Sequence, residues 1–363
     1  MKALCLYAGP KALAHIRSHG LQPQDIATIA GAAGGPKGLI LGPLDRFVFG
    51  QWLPQSSQPI DLVGASIGAW RLATACLQDC VPAFERLERD YIAQHYELEP
   101  GRKRPTADQV SREFGRSLSL FYGGRIEELL SHPRYQLHVM TSRGIGLLTR
   151  EHPVFTPLGY AGAYVTNLIS RGLMDAWLER VVFSSSSAGQ PHPLPFATSD
   201  YRTRQVLLSA DNFMPAVQAS CSIPFVLRAV HNVPAAPRGA YWDGGITDYH
   251  LHLDYRSPRP GPGIVLYPHF QRQVVPGWLD KALKWRHKAT PFLDSMLLLA
   301  PDPDWVRRLP NGKLPDRTDF TRYANDLPAR IQVWSTAARA SEQLASEFAH
   351  WLQRPDPGQV QAL

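Results

Sequence analysis

The stretch "DLVGASIGAW", residues 61–70, decides the fold. An apolar run starting at Ile60 leads into Gly64, and helically spaced apolar residues lead out of Gly68. Ser66 stands between them in a G-x-S-x-G pattern. That is a tight strand-to-helix turn on which the serine projects and flanking side chains would collide. The start of a helix leaves backbone N–H groups unpaired and presents the positive end of a dipole. The amide of Ile67 is therefore placed to donate to a developing oxyanion. A serine hydroxyl is a poor nucleophile until a base takes its proton, so the stretch raises the question of which residue serves Ser66.

Upstream lies a second glycine-rich turn, "GAAGGPKGLI" (31–40), which follows the apolar run "DIATIAG" (25–31) and opens a helical pattern. Such a turn presents amides to an anion, either a phosphate or an oxyanion on Ser66. It departs from the P-loop, because Gly38 follows Lys37 where Ser or Thr is required, and it is not G-x-G-x-x-G. Pro36 has no N–H to give; Gly34 and Gly35 keep theirs, and Lys37 adds charge at the mouth of the site. Downstream, His250, His252, His269, His287 and His350 follow the serine as a hydrolase triad would require. The position of Ser66 argues against a triad. Only two strands are expected before it, where the α/β-hydrolase order has more.

Four motifs in order carry a resemblance: "AGGPKG" (33–38), "GASIG" (64–68), "ASCSIPFV" (219–226) and "DGG" (243–245). Together they resemble the patatin-like phospholipase family, over about residues 31–245. The resemblance implies a Ser–Asp dyad without a catalytic histidine. It implies Ser66 as nucleophile, Asp243 as its partner, Gly34 and Gly35 as oxyanion donors, and Gly38, Gly64, Gly68, Gly244 and Gly245 as motif glycines. Ala33 stands where the family has its first loop glycine, and Cys221 and Ser222 depart from its third motif. The activity implied is hydrolysis of a lipid acyl ester, phospholipase A or lysophospholipase in type, with no cofactor. A thioesterase or acyl transferase on the same dyad is the alternative, and a catalytically silent lipid-surface protein is another. An aspartate with an ordinary pKa of about 4 is a weak base, so the dyad needs direct contact and partial desolvation of Asp243. Its place after the apolar "AYW" (240–242), with two glycines behind it, suits both.

Alternation of strands with helices, the strands continuously apolar, predicts an α/β fold: a three-layer α/β/α patatin-like domain with a mostly parallel central sheet. The expected organisation is an acyl-hydrolase domain over 1–270, with a helical, basic insertion at 99–131. A helical C-terminal extension over 271–363 would pack on it as a lid or membrane-contact region. Helices are expected over 37–53 and 335–353.

The chain has 363 residues and a formal net charge of +7. Basic runs stand at 101–104 ("GRKR"), 256–259 ("RSPR") and 278–288 ("WLDKALKWRHK"). A basic surface suits anionic partners or simple solubility. No nucleic-acid motif accompanies it, so nucleic acid is not expected. Trp278, Leu279, Leu283 and Trp285 among Lys281, Lys284, Arg286 and Lys288 predict an amphipathic helix, either on an anionic membrane surface or packed on the core with its lysines solvated. The most apolar window, "PFLDSMLLLAP" (291–301), carries Asp294 and is too short to span a bilayer. The first twenty residues lack signal-peptide character. Cys5, Cys76, Cys80 and Cys221 form no C-x-x-C pair, and the expectation is a cytoplasmic protein, peripheral to membrane. Finally, "TDYHLHLDY" (247–255) would, if extended, align Asp248, His250, His252 and Asp254 on one face. These are candidate metal ligands, set against the plainer reading of a half-buried strand; no metal is expected.

Overall fold

The computed structural model describes residues 2–97, 102, 104–187, 189–257 and 259–363. Gly101 and Lys103 of the first basic run, and Pro258 of the second, lie outside the described residues. The strands, in chain order, are β1 (Leu4–Ala8), β2 (Ile26–Gly31), β3 (Ile60–Ala65), β4 (Tyr135–Gly144), β5 (Leu178–Ser184), β6 (Ser186–Ser187), β7 (Gln190–Pro191), β8 (Thr203–Leu207), β9 (Val230–His231), β10 (Ala240–Asp243), β11 (Ile264–Pro268), β12 (Met296–Pro301) and β13 (Val360–Ala362). Among the described residues eleven of them form one sheet. Its order is β13-β1-β12-β11-β2-β3-β4-β10-β9, with β5 beside β4 and β8 beside β5; β6 and β7 make a separate hairpin.

The centre of the sheet, β12-β11-β2-β3-β4, is parallel throughout. Antiparallel pairs flank it, β1 on β12 at one side and β5 and β10 on β4 at the other. This is the mixed α/β architecture with a mostly parallel sheet that the alternating pattern predicts. Every residue of β2, β3, β11 and β12 is buried. Alternate residues of a strand face opposite sides, so both faces of the sheet are covered by helices and loops, and continuous apolar runs are what such strands require.

Several expectations change. Three strands precede Ser66, because the short apolar run near the N-terminus forms β1. The window 291–301 supplies β12, a fully buried strand between β1 and β11. Residues 271–363 do carry the helices Leu327–Ala340 and Glu342–Gln353, yet they also return β12 and β13 to the sheet. The tail is two helices rather than one, broken at Ser341, whose Oγ turns back to donate to the carbonyl of Ala338 at 2.6 Å. Residues 37–53 divide into a 3-10 segment (Gly35–Leu41), an α-helix (Gly42–Phe47) and two further turns. Pro43 and Pro54 each stand at the start of a new piece, where a proline fits and an interior position would not.

Residues 278–288 are not an amphipathic helix. They form 3-10 turns at Trp278–Asp280 and Lys284–Arg286. The cause is Asp280, which is fully buried and accepts from Asn167 Nδ2 (2.8 Å), Arg286 Nη1 (2.9 Å) and Arg171 Nη1 (3.4 Å). An aspartate drawn inward by three donors bends the chain around it. Residues 247–255 are not a strand either. A short helix, Gly245–Asp248, opens them, and Leu251 then adopts φ 49°. Among the described residues no helix is long and apolar enough to cross a membrane.

Candidate active site

The register of β4 builds the site. One edge of β4 is paired with β5 from His138 to Gly144. The other edge takes β3 along Tyr135–Met140 and then β10 along Thr141–Arg143. β3 is parallel to β4 and ends with Ala65 opposite Met140. β10 is antiparallel and ends with Asp243 opposite Thr141. The two strands thus meet C-terminus to C-terminus on one edge, and the residue after Ala65 lands beside Asp243.

Ser66 Oγ donates to Asp243 Oδ2 at 2.9 Å, and the two residues are only 4% and 5% exposed. The turn is sharp: Ser66 has φ 55° and ψ −127°, a region costly for any residue with a Cβ. The backbone around it is pinned. The amide of Ser66 donates to Ser220 Oγ (2.9 Å), which itself donates to the carbonyl of Met140 (2.7 Å). A Cβ on Gly68 would lie 1.9 Å from the carbonyl oxygen of Gly31, so the helix Ile67–Ala75 seats directly on the end of β2. A Cβ on Gly244 would lie 2.1 Å from the carbonyl of Met140. Asp243 is held on the other side, its Oδ1 accepting from the amide of Gly245 (2.7 Å) and its own amide donating to the carbonyl of Ser222 (2.9 Å).

Burial pushes the Asp243 carboxyl above the ordinary carboxylate range. The positive charge of Arg317, the Gly245 amide, the Ser66 hydroxyl and the charge of Lys281 oppose that rise without cancelling it. A raised pKa makes the carboxylate a stronger base, and its direct contact with a buried hydroxyl removes the need for a relay. No histidine is hydrogen-bonded to either residue among the described residues. His250 and His269 each use Nδ1 to accept backbone amides, from Val275 and from Phe270 and Gln271. His252 pairs with Thr290, and His287 with the carbonyl of Asp280.

Ser66 opens onto a cavity of about 430 Å³. Gly35, Pro36 and Ile67 line it near the serine, Trp70, Phe114 and Ile223 form apolar wall, and Arg317 and Arg330 add positive charge. Gly35 and Ile67 are the first residues of helical segments, so their amides have no intrahelical acceptor, and none outside is found among the described residues. Gly34 does not line the cavity. A Cβ on it would lie 2.4 Å from the Phe270 ring. Lys37, expected at the mouth, is off the cavity; its Nζ rests 5.0 Å from the centre of the same ring, and burial lowers its pKa.

The candidate metal ligands disperse. Asp248 is engaged by Arg180 (2.7 and 2.8 Å) and Arg171 (3.1 Å), and these arginines hold its pKa below the ordinary value against burial. His250 and His252 turn to the different partners named above. Among the described residues no group of three or more His, Cys, Asp or Glu side chains is placed to hold a metal.

Two neighbours of the candidate site escape the sequence. Ser220, within the "ASCSIPFV" stretch, braces the turn through a serine hydroxyl that local pattern cannot assign. Arg317 comes from far downstream and lies over the glycine loop, its Nε 3.3 Å from where a Cβ on Gly35 would be. No motif surrounds it.

No family model matches the chain, and no curated protein matches it in sequence. Two solved structures are similar to it. VipD from Legionella pneumophila aligns with 91% of this chain and 67% of its own, at 14% identity and TM-score 0.39. Human GIVD cytosolic phospholipase A2 aligns with 95% of this chain and 62% of its own, at 11% identity and TM-score 0.30. This chain thus spans less than two thirds of the length of the human protein. Likeness at that level carries no argument about the site, which stands on its own geometry.

Proposed function

We propose that the protein is a serine acyl hydrolase of the patatin-like type, acting on lipid acyl esters such as phospholipids or lysophospholipids. The observation that carries this reading is the 2.9 Å hydrogen bond from Ser66 Oγ to a buried Asp243, at the wall of a largely apolar cavity. Asp243 takes the hydroxyl proton as Ser66 Oγ bonds to the acyl carbon. Amides of Gly35 and Ile67 stabilise the negative oxygen. The proton then passes from Asp243 to the leaving oxygen as the ester bond breaks. Water attacks the acyl-enzyme, gives its proton to Asp243, and Ser66 recovers it as the carboxylic acid departs.

The cavity volume lies in the range of small-molecule sites, and its apolar wall suits an acyl chain. Arg317 and Arg330, on the cavity wall, suit an anionic head group. The four free cysteines fit the reducing compartment expected from the sequence, and the net charge supports contact with an anionic membrane. Hydrolysis of p-nitrophenyl butyrate by wild type and Ser66→Ala tests the reading. Loss of activity in the variant is expected, and unchanged activity would contradict it. Acyl products from phospholipids, lysophospholipids and acyl thioesters then separate ester from thioester cleavage.

A further inference from the structure

We infer that the outer face of the helix Phe155–Ile169 is a bilayer-docking surface, continuous with the cavity of Ser66 through Phe225 and Val226. The destination of the lipid rests on the acyl-hydrolase reading; the docking itself does not.

Thirteen large apolar side chains stay exposed among the described residues, and seven of them fall between Val154 and Ile169. The helix carries no charged residue. Its inward positions, including Tyr160, Ala163 and Asn167, are buried, while Leu158, Val165 and Ile169 are 54%, 56% and 73% exposed. A helix apolar on both sides belongs in a core or against lipid, and an uncovered apolar patch marks an interaction site. Fifteen residues make about 22 Å of helix, short of the ~30 Å hydrocarbon core. A helix of this length lies in the plane of the surface rather than across it.

The charges around the face select an anionic bilayer as its occupant. Arg150, just before the helix, and Lys284, beside Trp285, are exposed, and no ion pair to either is found among the described residues. Asp175, on the adjoining turn, has no ion pair among the described residues. Trp285, 62% exposed, is carried to the end of the helix by its neighbour Arg286, which donates to Asn167 Oδ1 (3.1 Å) and to the carbonyl of Leu168 (3.4 Å). Tryptophan and lysine rimming an apolar face is the pattern of a headgroup boundary, with the rings at the interface and the ammonium groups in the anionic layer.

The path to the serine starts at Phe225. Its ring is 6.0 Å from that of Tyr160 on the docking helix, and it lines the cavity with Val226. Phe225 holds φ 67° with its side chain 60% exposed, a strained backbone for a bulky residue that gains no burial from it. Phe225 thus joins the inner side of the docking helix to the wall of the cavity onto which Ser66 opens.

The test is vesicle sedimentation in the Ser66→Ala background, so that no lipid is cleaved and failure of docking is distinct from failure of the chemistry. Vesicles of phosphatidylcholine mixed with phosphatidylserine are compared with pure phosphatidylcholine. Ser66→Ala is expected to bind the mixed vesicles more strongly. Adding Val165→Asp and Ile169→Asp is expected to cut the bound fraction by roughly tenfold or more. Val165→Ser with Ile169→Ser gives a milder pair should the charges impair folding, as read by thermal melts. With Ser66 restored, the double variant should cleave water-soluble p-nitrophenyl butyrate at the parental rate. The proposal is overturned if the parent ignores mixed vesicles or if neither pair weakens binding. It is equally overturned if sedimentation equilibrium shows a dimer that the substitutions make monomeric, since a second copy would then cover the face.

Discussion

Two helices of this protein are apolar on nearly every side and meet opposite fates. The helix after the nucleophile, Ile67–Ala75, is buried at all nine positions. The helix Phe155–Ile169 buries five of its fifteen. Composition does not separate them; connection does. The first is joined to β3 through a turn with no spare room, packs on β2, β3 and β4, and has its single charge, Arg71, neutralised in place. The second sits at the periphery over a small separate cluster that includes Leu148, Tyr160 and Trp242. An apolar helix says only that something must cover it. Its place in the topology says whether the protein does so itself.

The contrast breaks first at the nucleophile. If the buried helix exists to present Ser66, then Ser66→Ala should lower esterase turnover by about a thousandfold or more, with the melting temperature nearly unchanged. Next comes the buried pair on the same helix. Arg71 donates to both oxygens of Asp45 at 2.6 and 2.7 Å, and neither residue is more than 4% exposed. Asp45→Ala leaves a buried cation alone and should cost about 3–5 kcal/mol in urea unfolding.

A third effect carries a sign. The folded pKa of Asp243 lies above its unfolded value, so its contribution to stability is fully present in acid and is lost as pH rises through the folded pKa. Activity needs the carboxylate and should rise over that same range. Asp243→Asn should therefore abolish turnover yet raise the melting temperature at neutral pH, because an asparagine can still accept from Gly245 and donate to Ser66. The gain should vanish below the unfolded pKa, about 4; a variant no more stable than wild type at pH 7 would contradict this. The smallest effect belongs to the exposed helix, where Val165→Asp should change stability by no more than about 0.5 kcal/mol. A larger loss would mean that the face is buried in solution.

The features legible in the sequence are local. The two glycine turns, the strands entering them and the position of Ser66 follow from short patterns, because a tight turn constrains its own residues, while Asp243 is reached only through the four-motif resemblance. What escaped depends on distant partners. The segment 278–288 has the spacing of an amphipathic helix, yet Asp280 is pulled inward by Asn167 and Arg171, more than a hundred residues away. The alternation of 247–255 mimics a strand, while Asp248 is claimed by Arg180. β12 hides because a short, fully buried strand and a short buried helix share one apolar signature. Arg317 hides because nothing near it in the chain refers to the cavity it enters.

The central claim is that Ser66 forms the covalent acyl-enzyme with Asp243 as its base. Intact-protein and peptide mass spectrometry after exposure to an alkyl fluorophosphonate tests it most directly. One adduct, on Ser66, is the predicted result, absent from Ser66→Ala and strongly slowed in Asp243→Asn. No adduct, or an adduct on another residue in a protein whose esterase activity survives Ser66→Ala, would contradict the account.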